Sequence, residues 1–366
     1  MIGPLPPPFG GVATNLEEMI NQLKNNTSEN VLVLNTSNNQ ERELINTVTL
    51  RDVFYAIKSS FKLLIILIKE NVNILHIQST SGIGFFRDIW FVAIGKLFRK
   101  KVILHFHGVN IGMFDPNVKI GKIIYSIINT TVDHLFLLSP YQKVILSKII
   151  NPKKIAVIPN LSVINKLTYK QNNFIKLLFL GRLSEQKGFF DLLKAISILK
   201  DTEIRFLLYV GGLPPTLEEE NMIDNLVKSL CLSKHVKFFG VLSGEKKEKT
   251  FSNSDIFILP SYTEKLPVSI FESMGYGLGI ITTRVGYIEE YIKEPENCLF
   301  VNNNSMDIAQ AILRLFNDKK LLLNMKNNNL KKYHNTLKEE IIIDKISDIY
   351  SKLINKVFVN SVAGTN

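Results

Sequence analysis

The sequence predicts an α/β protein built as two doubly wound domains, each a parallel sheet covered by helices on both faces. Three observations lead there. The 366 residues exceed what one typical core organises and suit two domains of roughly 150–200 residues each. Short apolar strand-like runs alternate with helix-like stretches along the whole chain, the pattern of parallel sheets buried on both sides. The alternation is interrupted by a polar stretch, "NLSVINKLTYKQNN" (160–173), with five strand-like runs on either side of it.

In order, the first half offers "VLVL" (31–34), "ILHIQ" (74–78), "KVILHFHG" (101–108), "HLFLLS" (134–139) and "KIAVIPN" (154–160). The second offers "IKLLFLG" (175–181), "RFLLYVG" (205–211), "VKFFG" (236–240), "DIFILPS" (255–261) and "GIITT" (279–283). Amphipathic stretches such as 186–200 and 217–231 lie between them. The domains are therefore expected at 1–160 and 174–336, with 161–173 as linker. The tail 337–366 carries a last helix with no strand after it, expected to pack back toward the N-terminal domain. In such sheets ligands bind at the carboxyl ends of the strands, beside a crevice. Gly10, Gly11, His107, Gly181, Arg182 and Gly240 all fall at such ends.

Hydrophobic content of 46% excludes a disordered chain. The longest aliphatic run, "LLIILI" (63–68), is far short of the ~20 residues that cross a bilayer. The opening "MIGPLPPPFGG" has no basic start and no apolar segment of a signal peptide. Cys231 and Cys298 are too few for a disulfide framework or a zinc site, which reads as a cytoplasmic protein. The net charge of +11 is uneven: residues 1–166 hold 18 Lys and Arg against 10 Asp and Glu. That excess favours an anionic partner, or else reflects a Lys/Asn/Ile-rich composition.

Two stretches carry the chemistry. "FLGRLSEQKGFFDLL" (179–193) ends a strand in glycine and opens a helix at Gly188, placing Arg182 and Lys187 in one short loop. Two cations beside a helix N-terminus make an anion site suited to a phosphate pair. In "ILPSYTEKLPVSIFESMGYGLG" (258–279) a strand ends at Pro260, a loop carries Glu264, and Pro267 starts a helix containing Glu272. The first-turn N–H groups of 267–269 offer a further phosphate contact. Glu272 is placed to accept hydrogen bonds from a ribose diol, and Glu264 to reach hydroxyls beyond the phosphates. Sugar, diphosphate and ribose in a row describe a nucleotide sugar. Each acid alone also reads as a surface or first-turn carboxylate.

Glu264 and Glu272 at this spacing, with Gly181–Arg182 and Lys187–Gly188 upstream, resemble the signature of the GT-B retaining glycosyltransferases of family 4. The resemblance covers nearly the whole chain. "PPPFGGVATN" (6–15) is similar to that family's Gly-Gly loop and "HFHG" (105–108) to its His-Gly. "LSPYQKVIL" with "KKIAVIPN" (138–160) and "FFGVLSGEKKEKTFSNSDIFILPS" (238–261) follow in the family's order. The resemblance implies that Arg182 and Lys187 neutralise the donor diphosphate, Glu272 binds ribose and Glu264 touches the transferred sugar. It further implies that His107 lies near the reacting centre, that the Gly10–Gly11 backbone is close to the phosphates, and that Gly240 and Val241 border the base. Leu266, Pro267 and Val268 complete the implied donor contacts. The implied reaction retains anomeric configuration by same-face attack. The chain contains no D-x-D motif, and a reaction without metal or other cofactor is expected.

The sequence departs from the family at three places. Only Met1 and Ile2 precede the Gly-Gly loop where a full strand is usual, so the first strand reads as truncated. The Asn-Gly-Val-Asp linker is replaced by "NLSVI" (160–164), and Gly-x-Pro by "GLGI" (277–280).

The acceptor site is expected in the N-terminal half. Two stretches there, "FYAIKSSFKLLIILIKE" (54–70) and "FFRDIWFVAIGKLFRKK" (85–101), are both basic and apolar. They suit either an anionic membrane face or ordinary helices packed on the sheet with basic ends. The first reading gives a peripheral protein on the inner face of the plasma membrane. Its acceptor would be a lipid-linked saccharide of a bacterial surface polysaccharide. Three rivals compete with the transferase: a nucleotide-sugar epimerase of related fold, an NAD(P) enzyme, and a non-catalytic nucleic-acid or membrane binder. The nearest dinucleotide fingerprint, "SGIGFF" (81–86), lacks its third glycine. Charge alone gives a nucleic-acid binder no reason for Arg182, Lys187, Glu264 and Glu272 in their order, so no nucleic-acid partner is expected.

Overall fold

The computed structural model describes residues 1–7, 10–37, 50–80, 83–108, 118–164 and 174–363. The chain divides into two compact units, Met1–Leu161 with Glu339–Asn366, and Ser162–Lys338. Residues 165–173 of the expected linker, and residues 8–9 ahead of Gly10, lie outside the described residues.

The first unit runs β1 (Ile2–Gly3), α1 (Gly11–Asn26), β2 (Leu34–Asn35), α2 (Leu50–Lys69), β3 (Ile74–Ser79) and α3 (Ile83–Leu97). It continues with β4 (Lys101–Phe106), α4 (Lys119–Thr131), β5 (His134–Leu137), α5 (Pro140–Leu146) and β6 (Ile155–Val157). Its six strands form one parallel sheet in the order β2-β1-β3-β4-β5-β6. Alternation along the strands splits the core between two faces. Leu75, Ile77, Val102, Leu104 and Leu135 pack with Leu63 and Leu67 of α2, Phe85 and Phe91 of α3, and Ile124 and Ile128 of α4. Ile103 and Phe136 point to the other face, onto Met19 and Leu23 of α1.

The strand expected at 31–34 is confined to Leu34–Asn35. β2 is an edge strand whose neighbour is the two-residue β1, with Ile2 opposite Leu34 and Gly3 opposite Asn35. A strand pairs only as far as its neighbour extends, so Val31 packs on the core without joining the ladder. The position ahead of Gly10, read from sequence as truncated, is held by this short β1, which also pairs Ile2 with Ile77 of β3.

The second unit runs β7 (Ile175–Leu180), α6 (Phe189–Lys200), β8 (Phe206–Gly211), α7 (Leu217–Ser229), β9 (Val236–Phe238), α8 (Gly244–Ser252) and β10 (Ile256–Leu259). α9 (Val268–Gly275), β11 (Gly279–Thr282), α10 (Ile288–Tyr291), β12 (Leu299–Phe300), α11 (Ser305–Asn317) and α12 (Lys319–Lys332) follow. Its parallel sheet has the order β12-β11-β10-β7-β8-β9. The local signals are legible: Thr216 caps α7 by accepting from the Glu219 N–H at 3.1 Å, with Glu218, Glu219 and Glu220 in the first turn. α13 (Glu339–Ala363) then returns to the first unit. Its Ile342, Ile343, Ile346 and Leu353 share the core of Met19, Ile103 and Phe136.

Both sheets reverse direction of growth once. The chain passes from β7 out to β9, then returns to lay β10 on the other side of β7. In the first unit it passes from β1 to β2, then returns to lay β3 beside β1. At each reversal two loops leave neighbouring strands in opposite directions and open a gap at the carboxyl ends, where doubly wound sheets bind ligands.

Because Ile346 is fully buried at the centre of the α13 contact, Ile346→Ala should cost about 2–5 kcal/mol in urea unfolding. An unchanged midpoint would mean that α13 contributes little to the first unit.

Candidate functional site

In the second unit, the loops leaving β7 and β10 carry the residues singled out from sequence. After β7, Gly181 and Arg182 lead into a 3-10 turn, Glu185–Lys187, and Gly188 precedes α6 with φ of 67°. A Cβ on Gly188 would stand 1.9 Å from the Pro260 carbonyl oxygen, so this close packing of the two loops requires glycine. The backbones are also joined, the Tyr262 N–H donating to the Gln186 carbonyl at 3.0 Å.

This apposition delivers Lys187 to Glu264. The Lys187 ammonium donates to Glu264 Oε1 at 2.5 Å, and the Ser261 hydroxyl donates to the same oxygen at 3.0 Å. Arg182 is exposed and has no hydrogen bond or ion pair among the described residues. The two cations expected to act alike therefore differ: Lys187 is matched by a carboxylate, and Arg182 is open to an anion.

Glu272 lies on α9 and is 4% exposed. A carboxylate so enclosed needs a partner, and the ammonium of Lys247 on α8 supplies it in a close ion pair. Sequence reading missed Lys247. It sits in a run of lysines, "EKKEK" (245–249), of which nothing local marks one as facing inward. Pro267 is the N-cap of α9 rather than its first residue, and it has no N–H. The first-turn donors are therefore those of Val268 and Ser269, two groups instead of three. Leu266 is buried beside them. Gly240 has φ of 67° and open space where a Cβ would be, and Val241 next to it is 42% exposed.

In the first unit, Gly10 and Gly11 open α1, and a Cβ on either would meet nothing within 4 Å. His107 follows β4 and is 6% exposed. Its Nε2 faces Gln78 Oε1 in a short hydrogen bond, and its Nδ1 lies 3.2 Å from Asn160 Oδ1. The Gln78 amide donates to His76 Nε2 at 3.2 Å, and His76 Nδ1 is 2.6 Å from the Tyr350 hydroxyl of α13.

With the Gln78 amide oriented as it stands, these contacts assign the tautomers. His76 accepts at Nε2, so its proton is on Nδ1 and is donated to Tyr350. His107 donates from Nε2 to Gln78, so in the neutral ring Nδ1 accepts, and the Asn160 amide must turn its nitrogen toward it. Burial pushes the His107 pKa from 6.5 down to about 4. Burial also holds His76 and His105 well below the usual histidine range. The His105 and His107 rings pack 4.2 Å apart, an arrangement for uncharged rings. His107 is thus a neutral, oriented imidazole rather than a cation. Among the described residues no three His, Cys, Asp or Glu side chains gather as a cation site.

Residues 165–332 match the family described as "Glycosyl transferases group 1". An uncharacterized glycosyltransferase of Methanocaldococcus jannaschii is 24% identical over 328 residues, 86% of this chain and 87% of that protein. Among solved structures, the Anabaena protein Alr3699/HepE in complex with UDP-glucose superposes with a TM-score of 0.71 at 14% identity, covering 96% of this chain and 98% of that one. The lipopolysaccharide outer core galactosyltransferase WaaB superposes with a TM-score of 0.64 at 16% identity, with the same coverages. The fold, two parallel six-stranded sheets flanked by helices, is GT-B.

Two outcomes follow from the geometry. Gly188→Ala should lower the melting temperature by separating the loops after β7 and β10, at a cost on the order of 1–3 kcal/mol. Since the His107 pKa is depressed, the unfolded chain binds more protons below pH 6.5. Stability should fall from there toward about pH 4, by on the order of 1 kcal/mol per pH unit. In His107→Gln that part of the slope, read from urea unfolding against pH, should disappear.

Proposed function

We propose that this protein, whose residues 165–332 match the glycosyl transferases group 1 family and whose fold is GT-B, moves a sugar from a nucleotide-diphosphate donor to a saccharide acceptor. One observation carries the reading: an open arginine, two lysine-held carboxylates and a helix start meet at the reversal point of the second sheet. The donor complex of the Anabaena neighbour, with UDP-glucose, supports a ligand of the same class.

In this reading the diphosphate lies against Arg182 and the Val268 and Ser269 N–H groups, with Lys187 beside it. Glu272 accepts from the ribose hydroxyls, Glu264 contacts the transferred sugar, and Gly240 and Val241 border the base. Breaking the bond between the sugar and the phosphate oxygen leaves negative charge on the departing diphosphate. Fixed cations and N–H dipoles there are worth several kcal/mol of barrier, which is why the reaction is proposed to run without metal. Gly10, Gly11 and His107 are assigned to the donor phosphates and the reacting sugar, His107 as a neutral ring held in place by Gln78 and Asn160. The new bond is proposed to form on the face the diphosphate leaves, with retention.

The acceptor is proposed to be a lipid-linked saccharide of a bacterial surface polysaccharide, met on the cytoplasmic face of the membrane. The likeness to WaaB supports the acceptor class. Among the described residues no helix is long and apolar enough to cross a membrane, so contact with lipid would be peripheral.

The test is thermal-shift melting against UDP-, GDP-, ADP- and CMP-sugars, NAD and NADP, without added metal. One nucleotide-sugar class should raise the melting temperature. Arg182→Ala and Glu272→Ala should weaken that effect about tenfold or more, the loss of one charged hydrogen bond. Glu264→Ala should mainly lower turnover. Transfer unchanged in all three variants would show the site to be elsewhere, and stabilisation by NAD or NADP alone would overturn the reaction class.

A further inference from the structure

The outward faces of α2 and α3 are apolar where a helix on a globular domain ordinarily turns charge toward water. On α2, Phe54, Ile57, Phe61, Ile65 and Ile68 are each between 51 and 73% exposed. Their spacing of three, four, four and three residues puts them on one stripe, about 21 Å long. Leu63 and Leu67 occupy the opposite side of the helix, in the core. α3 repeats the device: Phe86, Trp90 and Leu97 are 51, 58 and 78% exposed, while Phe85 and Phe91 are buried. The two helices pack side by side on the same face of the sheet, with α4 next to α3. The stripes therefore form one surface, far more apolar than scattered exposed residues make it.

Charge on this surface is predominantly positive. Lys58, Lys62 and Lys69 are exposed along α2, and Arg99, Lys119 and Lys122 after α3 and on α4. Glu70 is the one exposed acid among the described residues of 53–131. A second copy of the chain meeting the same patch would bring these cations face to face. An anionic lipid surface answers both features, taking the apolar side chains below the headgroups and the lysines among them.

We propose that α2 and α3 form the docking face of this protein for an anionic phospholipid surface, with Phe61 and Trp90 at its centre. The inference deepens the lipid-linked acceptor reading by giving it a surface. Its test needs neither donor nor acceptor, so failure here is separate from failure of the donor site.

Trp90 is the only tryptophan in the chain, so its fluorescence reports this face alone. The full-length protein is titrated with vesicles of phosphatidylcholine, or of phosphatidylcholine mixed with phosphatidylglycerol, and binding is read by Trp90 emission and by co-sedimentation. A blue shift and co-sedimentation with the anionic vesicles, weakened by salt, are expected. The paired substitutions Phe61→Ser with Ile65→Ser, and Lys58→Glu with Lys62→Glu, should each weaken binding on the order of tenfold. All four positions are exposed, so melting temperature should be unchanged. A folded protein that neither shifts nor sediments with anionic vesicles overturns the proposal. So does self-association abolished by Phe61→Ser with Ile65→Ser in a protein that ignores vesicles, which would assign the face to a second copy.

Discussion

The second unit's site depends on how closely the Gly188 backbone lies against the carbonyl of Pro260. β7 and β10 are neighbours, so their outgoing loops start side by side, and a bare Cα lets them stay together. Any side chain at Gly188 would wedge them apart. With the loops in contact, Tyr262 bonds to Gln186 and Lys187 reaches Glu264. Arg182, a few residues earlier, remains on the rim. A glycine in a left-handed conformation thus sets the spacing of every charged group in the loop pair.

The first unit organises its reversal point by other means. In place of ion pairs it has a buried chain of hydrogen bonds running from Tyr350 through His76 and Gln78 to His107 and Asn160. Such a network holds one arrangement only if every member is satisfied. Satisfaction here demands neutral rings with defined tautomers, which burial enforces by depressing the histidine pKa values. The result is a rigid, uncharged ring at the end of β4. Tyr350 comes from α13, more than two hundred residues later, so the last helix contributes to the polar network as well as to the apolar core.

The sequence makes the fold and the charged loops legible because both are written locally. Strand runs, helix caps and turn glycines each depend on neighbours within a few residues, and the order of Gly181, Arg182, Lys187, Glu264 and Glu272 is read directly. What escapes is whatever depends on pairing across distance. Lys247 is one of several lysines until α8 packs beside α9 and one of them meets Glu272. β2 is shortened because β1, not its own composition, limits its ladder. Within "FFRDIWF" the sequence shows four aromatic rings but not their division, Phe85 and Phe91 inward and Phe86 and Trp90 outward. Helical periodicity separates them only once the register of α3 against the sheet is known.

The pairing of the acids bears on a difficulty that the sequence raises and leaves open, namely why a loop pair proposed to bind phosphate should contain two glutamates. A bare carboxylate about 4 Å from a phosphate is repelled by about 4 kcal/mol at an effective dielectric of about 20, enough to cancel the attraction of one arginine. In the structure neither carboxylate is bare. Lys187 matches Glu264 and Lys247 matches Glu272, so each acid keeps lone pairs for hydroxyl donors while its charge is offset. Arg182 and the α9 N–H groups then stand as uncompensated positive potential in a site whose carboxylates are already neutralised. The two acid–lysine pairs are thereby suited to accept neutral, hydroxyl-rich groups at two points, and Arg182 with the α9 N–H groups to attract an anion between them. A nucleotide sugar has that order of parts, with hydroxyls at both ends and a diphosphate in the middle.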